Sequence, residues 1–187
     1  MKLNKDKRIG RILFVVEGSQ TEFSILKRIF SNILGYTYIE KRRNKLTYFT
    51  NEKDRYSQVA IINTKESNIK DISENEDYLD EVFEILRERY YFPVDQSAIY
   101  CLFDRDPKSN TNTELIEEYI LSLANPYDNG DYKAGQLLLS YPSVESYIVS
   151  NFKNDTRNLC FSLGRDIKTY IGIMSRQESI VCFLCFA

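Results

Sequence analysis

Five carboxylates carry the strongest chemical signal in this 187-residue chain. Glu17 ends the apolar run Ile12–Val16, and Glu22 follows five residues later. Asp104 and Asp106 close a second apolar run, Ser97–Phe103, in the pattern D-x-D. Glu145 lies just past a third, Gln136–Ser140. Carboxylates gathered at one place repel one another, and a divalent cation relieves the repulsion. Hard oxygen donors of this kind select Mg²⁺ or Mn²⁺. Alternate residues of an extended segment point the same way, so Asp104 and Asp106 can face one ion. Most of these acids also have a purely structural reading. Ser19-x-x-Glu22 is a capping box, Glu145 sits in the first turn of a helix, and Asp104-Arg105-Asp106-Pro107 could be an Asp-rich turn. Glu17 is the hardest to explain in this way, because an acid ending a buried strand before Gly18 gains nothing structurally that Ser or Asn would not.

Composition narrows the chemistry further. The chain holds no histidine, which excludes Ser-His-Asp and Cys-His catalysis, zincin helices and most zinc sites. Any hydrolysis must run on carboxylates, lysine, tyrosine or an oxygen-ligated metal. Cys101, Cys160, Cys182 and Cys185 are too few and too unevenly placed for a disulfide framework. The lone C-x-x-C at Cys182 and Cys185 reads as buried thiols rather than as half of a zinc site. The formal net charge of −2 hides a division: residues 1–70 carry 15 Lys and Arg against 7 Asp and Glu, whereas residues 71–187 carry 10 against 20.

The acids need elements to position them. Ile12–Val16 suits a strand buried on both faces. Phe23, Leu26, Ile29, Phe30, Ile33 and Leu34 then form one helical face, with Gly35 as its stop. Residues 36–64 are less regular, with a strand over Gln58–Asn63. Ser73 and Glu76 cap a second helix through Leu79, Val82, Phe83 and Leu86, and Thr111 with Glu114 opens a third over Leu115–Ala124, closed by Asn125-Pro126. Residues 128–131 read as a turn, Gln136–Ser140 as a strand and Ser143–Phe152 as a short helix. This alternation predicts an α/β sandwich with a mostly parallel central sheet, whose strand ends share one edge. The C-terminal run Ile180–Ala187 could be a buried last strand, or could mark a chain whose native end is missing.

At this point the chain resembles a known domain. Val15-Val16-Glu17-Gly18-Ser19-Gln20-Thr21-Glu22 resembles the glutamate motif of TOPRIM domains, in the E-G-x-x-T-E form of the RloB-like and OLD-like nuclease branches. Leu102-Phe103-Asp104-Arg105-Asp106 is similar to the D-x-D motif of the same domain, and Ser140-Tyr141-Pro142-Ser143-Val144-Glu145 to the S-x-P-x-x-E segment of RloB-like proteins. The resemblance covers roughly residues 10–155, so that a TOPRIM-like catalytic domain would occupy 1–155 and a C-terminal extension 156–187. It implies a Rossmann-like three-layer sandwich and a metal-dependent nuclease. Glu17, Asp104 and Asp106 would be the catalytic and metal-binding acids, with Glu22 and Glu145 completing a second metal position for one or two Mg²⁺ or Mn²⁺ ions. It also implies a role in bacterial anti-phage defence beside an ATPase, since no G-x-x-x-x-G-K-[ST] is present in this chain. OLD-like nucleases carry a downstream lysine beside the metals, and Arg105, Lys108, Lys153 and Arg157 match no such motif.

Nucleic acid would be gripped by the basic half: Lys2, Lys5, Lys7, Arg8 and Arg11, then Lys41, Arg42, Arg43 and Lys45, with Arg105 and Lys108 near the D-x-D. Tyr48 and Phe49 lie close enough to the second cluster to stack on a splayed base. A solvated surface is the alternative for these runs. Two rival readings share the acids: a non-catalytic TOPRIM-like module that binds a partner through the acidic helix around Glu84 and Glu88, and a nucleotidyl-transfer enzyme. The sequence leaves a homo-oligomer open. The short N-terminal apolar run suits neither a signal peptide nor a membrane span, so the chain reads as cytoplasmic.

Overall fold

A computed structural model describes residues 8–18, 20–40, 47–63, 76–105, 111–130, 133–140, 143–153 and 155–177. Among these residues seven strands form one mixed sheet in the order β2-β3-β4-β1-β5-β7-β6. These are β1 (Arg11–Val16), β2 (Thr37–Glu40), β3 (Thr47–Asn51), β4 (Asp54–Asn63), β5 (Ala98–Asp104), β6 (Ala124–Gly130) and β7 (Lys133–Ser140). The central four, β4, β1, β5 and β7, run parallel, as their continuous apolar runs predict. The outer strands β3 and β6 pair antiparallel to their inner neighbours.

Among the described residues five α-helices accompany the sheet: α1 (Thr21–Lys27), α2 (Glu76–Tyr90), α3 (Thr113–Ser122), α4 (Val144–Phe152) and α5 (Gly164–Gln177). Strand alternation splits the core in two. Leu13, Val15, Ile99, Cys101 and Phe103 face α2 and α3, meeting Phe83, Leu86, Ile116 and Tyr119. Val16, Val59, Ile61 and Phe49 face the other way, onto Leu26 of α1 and onto Phe30. Burial between these layers pushes the Cys101 thiol up to about 12. Among the described residues no helix is long and apolar enough to cross a membrane.

Local chemistry explains several boundaries. α1 runs on into a π-helical segment, Arg28–Ile33. That segment stops where Gly35 takes φ +73° and the Tyr36 amide donates back to the Phe30 carbonyl at 2.8 Å. α3 spans Thr113–Ser122, two residues earlier at each end than Leu115–Ala124, and its cap lies one residue after Thr111. Its cap is Asn112, whose side chain accepts from the Leu115 amide at 3.1 Å. Asn125-Pro126, expected to close a helix, instead lies in the edge strand β6, where a register shift between Asn125 and Asn129 accommodates a residue without an N–H. The hairpin β2–β3 fills the stretch left irregular above. Residues 71–75 and 178–187, with the Ser73 cap, the C-x-x-C and the C-terminal run, lie outside the described residues.

Candidate functional site

The topology reverses between β1 and β5. The chain leaves β1 toward β4 on one side and leaves β5 toward β7 on the other, so the crevice beyond their carboxyl ends is where open α/β sheets hold ligands. Glu17 and Asp104 stand at those two ends. The Glu17 amide donates to the Leu102 carbonyl at 3.1 Å, and a Glu17 carboxylate oxygen accepts from the Asp104 amide at 2.7 Å. Glu17 therefore does have a structural task, which the sequence did not suggest: its carboxylate ties the two strand ends together. Asp104 is fixed in turn by the Ser140 hydroxyl and by the Val144 amide (2.9 Å), both donating to its Oδ1. The second of these is an N-terminal amide of α4 that has no partner within the helix, aimed where a negative charge is favourable.

Glu22 reaches the same place from α1. The capping alternative is not realised, because the cap position falls on Gln20, which makes no side-chain cap bond. The carboxylate instead folds back over Gly18, where a Cβ would stand 2.5 Å from Glu22 Oε2. The glycine after Glu17 thus makes room for the second acid. Glu145, in the first turn of α4, is only 5% exposed. A carboxylate so deeply placed needs a partner, and Lys168 of α5 supplies one, with Nζ 3.5 Å from Oε1.

Glu17, Gly18, Glu22, Asp104, Glu145 and Lys168 line one cavity of about 290 Å³. Burial raises the Glu22 carboxyl above its ordinary value, and the charges of Asp104 and Glu145 raise it further. Burial likewise raises Asp104, against the hydrogen bonds from Ser140 and Val144, with Glu145 adding to the rise. Lys168 opposes both shifts. The four acids offer only hard oxygen donors, which fits Mg²⁺ or Mn²⁺ in kind. Among the described residues, however, no three acidic or thiol side chains come close enough together to hold an ion.

Asp106 and Lys108 lie outside the described residues, as do Lys41, Arg42, Arg43 and Lys45. Glu40 and Thr47, which flank the basic Lys41–Lys45 stretch, end on the same rim as Glu17, two to three strands away from β1 or about 10–15 Å. Arg8 and Arg11 are not brought to the acids. Both precede or open β1, so Arg11 stands about 20 Å from Glu17 along six residues of extended chain. Arg8 pairs with Asp54 at 3.6 Å, and Arg11 donates to the Gln96 side chain and lies over the Tyr56 ring. Arg105 is half-buried at the rim, its amide bonded to the Ser140 carbonyl at 2.8 Å. Phe49 cannot stack on a base: it is fully buried, with its ring against Phe30 and Tyr38. Tyr48, on the opposite face of the same strand, packs half-buried against the other core.

Lys168 is the site residue that sequence reasoning missed. Ile167, Tyr170, Ile171 and Met174 carry helical spacing that announces α5, but nothing local joins Lys168 to Glu145, 23 residues earlier in the chain. No family model matches this chain, and neither does a curated protein or a solved structure.

Proposed function

We propose that this chain is a Mg²⁺- or Mn²⁺-dependent nuclease with a TOPRIM-like, Rossmann-type catalytic domain, hydrolysing phosphodiester bonds of nucleic acid in the cytoplasm. The observation that carries this reading is the meeting of Glu17, Glu22, Asp104 and Glu145, from four separate points of the sequence, around one cavity at the crossover between β1 and β5. The four acids line the cavity without three of them closing on one point; drawn together onto a cation they would hold it, and the ions when bound would polarise the phosphodiester and activate water. Glu17 is held at the cavity by the Asp104 amide and Asp104 by Ser140 and Val144, so the acids are oriented before a substrate arrives. Lys168 takes the place of the downstream lysine that OLD-like nucleases carry beside their metals. Its side chain is 64% exposed, so the ammonium can reach a phosphate oxygen while remaining near Glu145. The motif set, of the RloB-like and OLD-like kind, supports a role in anti-phage defence with a separate ATPase.

A second reading has one observation in its favour. Lys168 already neutralises part of the acid cluster, as an ion would, which suits a non-catalytic module that binds a partner protein. Calorimetric titration with Mn²⁺, followed by incubation with labelled DNA and RNA strands, separates the two. The nuclease binds Mn²⁺ at millimolar concentration or below and cuts one of the strands. Saturation with Mn²⁺ without cleavage of either, or no binding at all, overturns it.

A further inference from the structure

A larger cavity opens from the acidic one. It holds about 720 Å³, shares Asp104, Glu145 and Lys168 with it, and runs between α4 and the segment that leads into α5. Away from the shared charges its wall is apolar, formed by Val149, Leu159, Phe161 and Ile167, with the hydroxyl-bearing Ser146 and Ser162 beside them. Phe161 is not loose: its ring packs on Tyr170 of α5, with centroids 5.3 Å apart and planes inclined at 54°. The size is that of a small-ligand site, and the pattern is that of one as well, with apolar walls and a few polar groups.

An occupant must satisfy both ends of this cleft. The end with Lys168 and the acids suits a phosphate and its counter-ion, and the far end suits a flat group with apolar faces and polar edges. A nucleobase joined to its own phosphate meets both conditions. A base inside a duplex does not, because its faces are stacked and its pairing edge is occupied.

We infer that the cleft receives the unpaired base of the nucleotide beside the scissile phosphate, so that the protein acts on single-stranded or base-extruded nucleic acid and not on an intact duplex. The inference rests on the acid cluster being a phosphodiesterase site, and its test keeps the two apart.

The test uses three probes of equal length: a single strand carrying one 2-aminopurine, the same sequence as a duplex, and a base-free strand of abasic residues. The wild-type chain quenches the 2-aminopurine on binding, and in Mn²⁺ it cuts the single strand at least about tenfold faster than either of the other probes. Base–aromatic stacking contributes about 1–3 kcal/mol, so Phe161→Ala weakens single-strand binding by about 5- to 150-fold. It leaves binding of the base-free strand unchanged, and Phe161→Tyr restores the quench. Ser162→Trp, on an exposed loop residue, obstructs the cleft and gives the same selective loss without emptying the core. Single-strand binding that Phe161→Ala selectively weakens, without cleavage, keeps the cleft and ends the nuclease assignment. Equal cleavage of all three probes, or variants that bind the single strand as wild type does, overturns the cleft and leaves the acids. Failure to bind the single strand overturns the cleft whatever the acids do.

Discussion

The two edges of the sheet treat their acids in opposite ways. At the amino ends of the parallel strands, Asp54 is held below its ordinary carboxyl range, chiefly by the Ser57 hydroxyl and with help from Arg8. On the same edge Asp95 is lowered by paired hydrogen bonds from Arg87. At the carboxyl ends, Glu22 and Asp104 are both raised, first by burial and then by neighbouring carboxylates. One edge has matched its charges and the other has gathered charges of one sign, with Lys168 in opposition. A fold gains nothing in stability from the second arrangement. Functional sites are where such costs are retained, because groups with shifted pKa values are the ones that bind ions and move protons.

The largest effect comes from removing charge at the acidic edge while leaving its hydrogen bonds. Asp104→Asn keeps an oxygen to accept from Ser140 and Val144, and Glu17→Gln keeps one for the Asp104 amide. Each should lower Mn²⁺-dependent cleavage by at least about a thousandfold, the several kcal/mol that a bound cation supplies. Circular dichroism and the melting temperature should stay close to wild type. A variant that retains activity separates the acid cluster from the chemistry. Lys168→Met should cost about 10²–10³ in kcat, as expected for loss of one positioned donor, with a small change in KM. An equal loss in KM and none in kcat would make Lys168 a binding residue only.

Sequence alone made the central part of this edge readable for a physical reason. β1 and β5 carry apolar side chains on both faces, so each is a continuous apolar run and the acid at its end stands out; β7 carries only the short run Leu137–Leu139, with Leu138 exposed, and Glu145 lies five residues past its end. The outer strands carry no such signature. Tyr36-Thr37-Tyr38-Ile39 and Ala124-Asn125-Pro126-Tyr127 mix polar and aromatic residues, as half-exposed edge strands do, and the proline of β6 reads as a terminator although an edge tolerates it. Basic residues were the least readable. Arg8 and Arg11 are adjacent in sequence to the strand that delivers Glu17, yet a strand has two ends, and they occupy the wrong one. Lys168 is distant in sequence and arrives through the packing of α5 on α4.

A smaller effect sharpens the comparison through stability. Glu22 has a raised carboxyl pKa, so the folded chain holds its proton more tightly than the unfolded chain does. Its ionisation therefore lowers stability as pH climbs from the ordinary value of 4.5 through the raised one. Glu22→Gln removes that cost and should raise the Tm of the apo protein at pH 7, by an amount that the partial exposure of the group to water keeps small. The gain should vanish below pH 4, where wild type is itself protonated, and saturating Mn²⁺ should reverse it by stabilising only the wild-type chain. A gain that persists at low pH would locate the effect in packing instead of charge.

The smallest effect belongs to the opposite edge and carries the opposite sign. Arg87 donates to both oxygens of Asp95, at 2.6 and 3.1 Å, but the pair is exposed, with the two side chains 43% and 64% accessible. Water screens such a pair, so Asp95→Ala should cost about 0.5 kcal/mol, in spite of the good geometry. A lowered acid contributes stability above its ordinary value of 3.8 and loses it as pH falls through the lowered one. The wild-type advantage should thus be present at pH 7, fade below pH 3 and shrink in 1 M salt, where the screening length drops to about 3 Å. Mn²⁺ affinity should not move, because Asp95 lies at the amino end of β5 and Asp104 at its carboxyl end, about 20 Å along the strand. If Asp95→Ala instead weakens Mn²⁺ binding, the two edges are not independent, and the acidic cavity owes part of its shape to the matched charges beneath it.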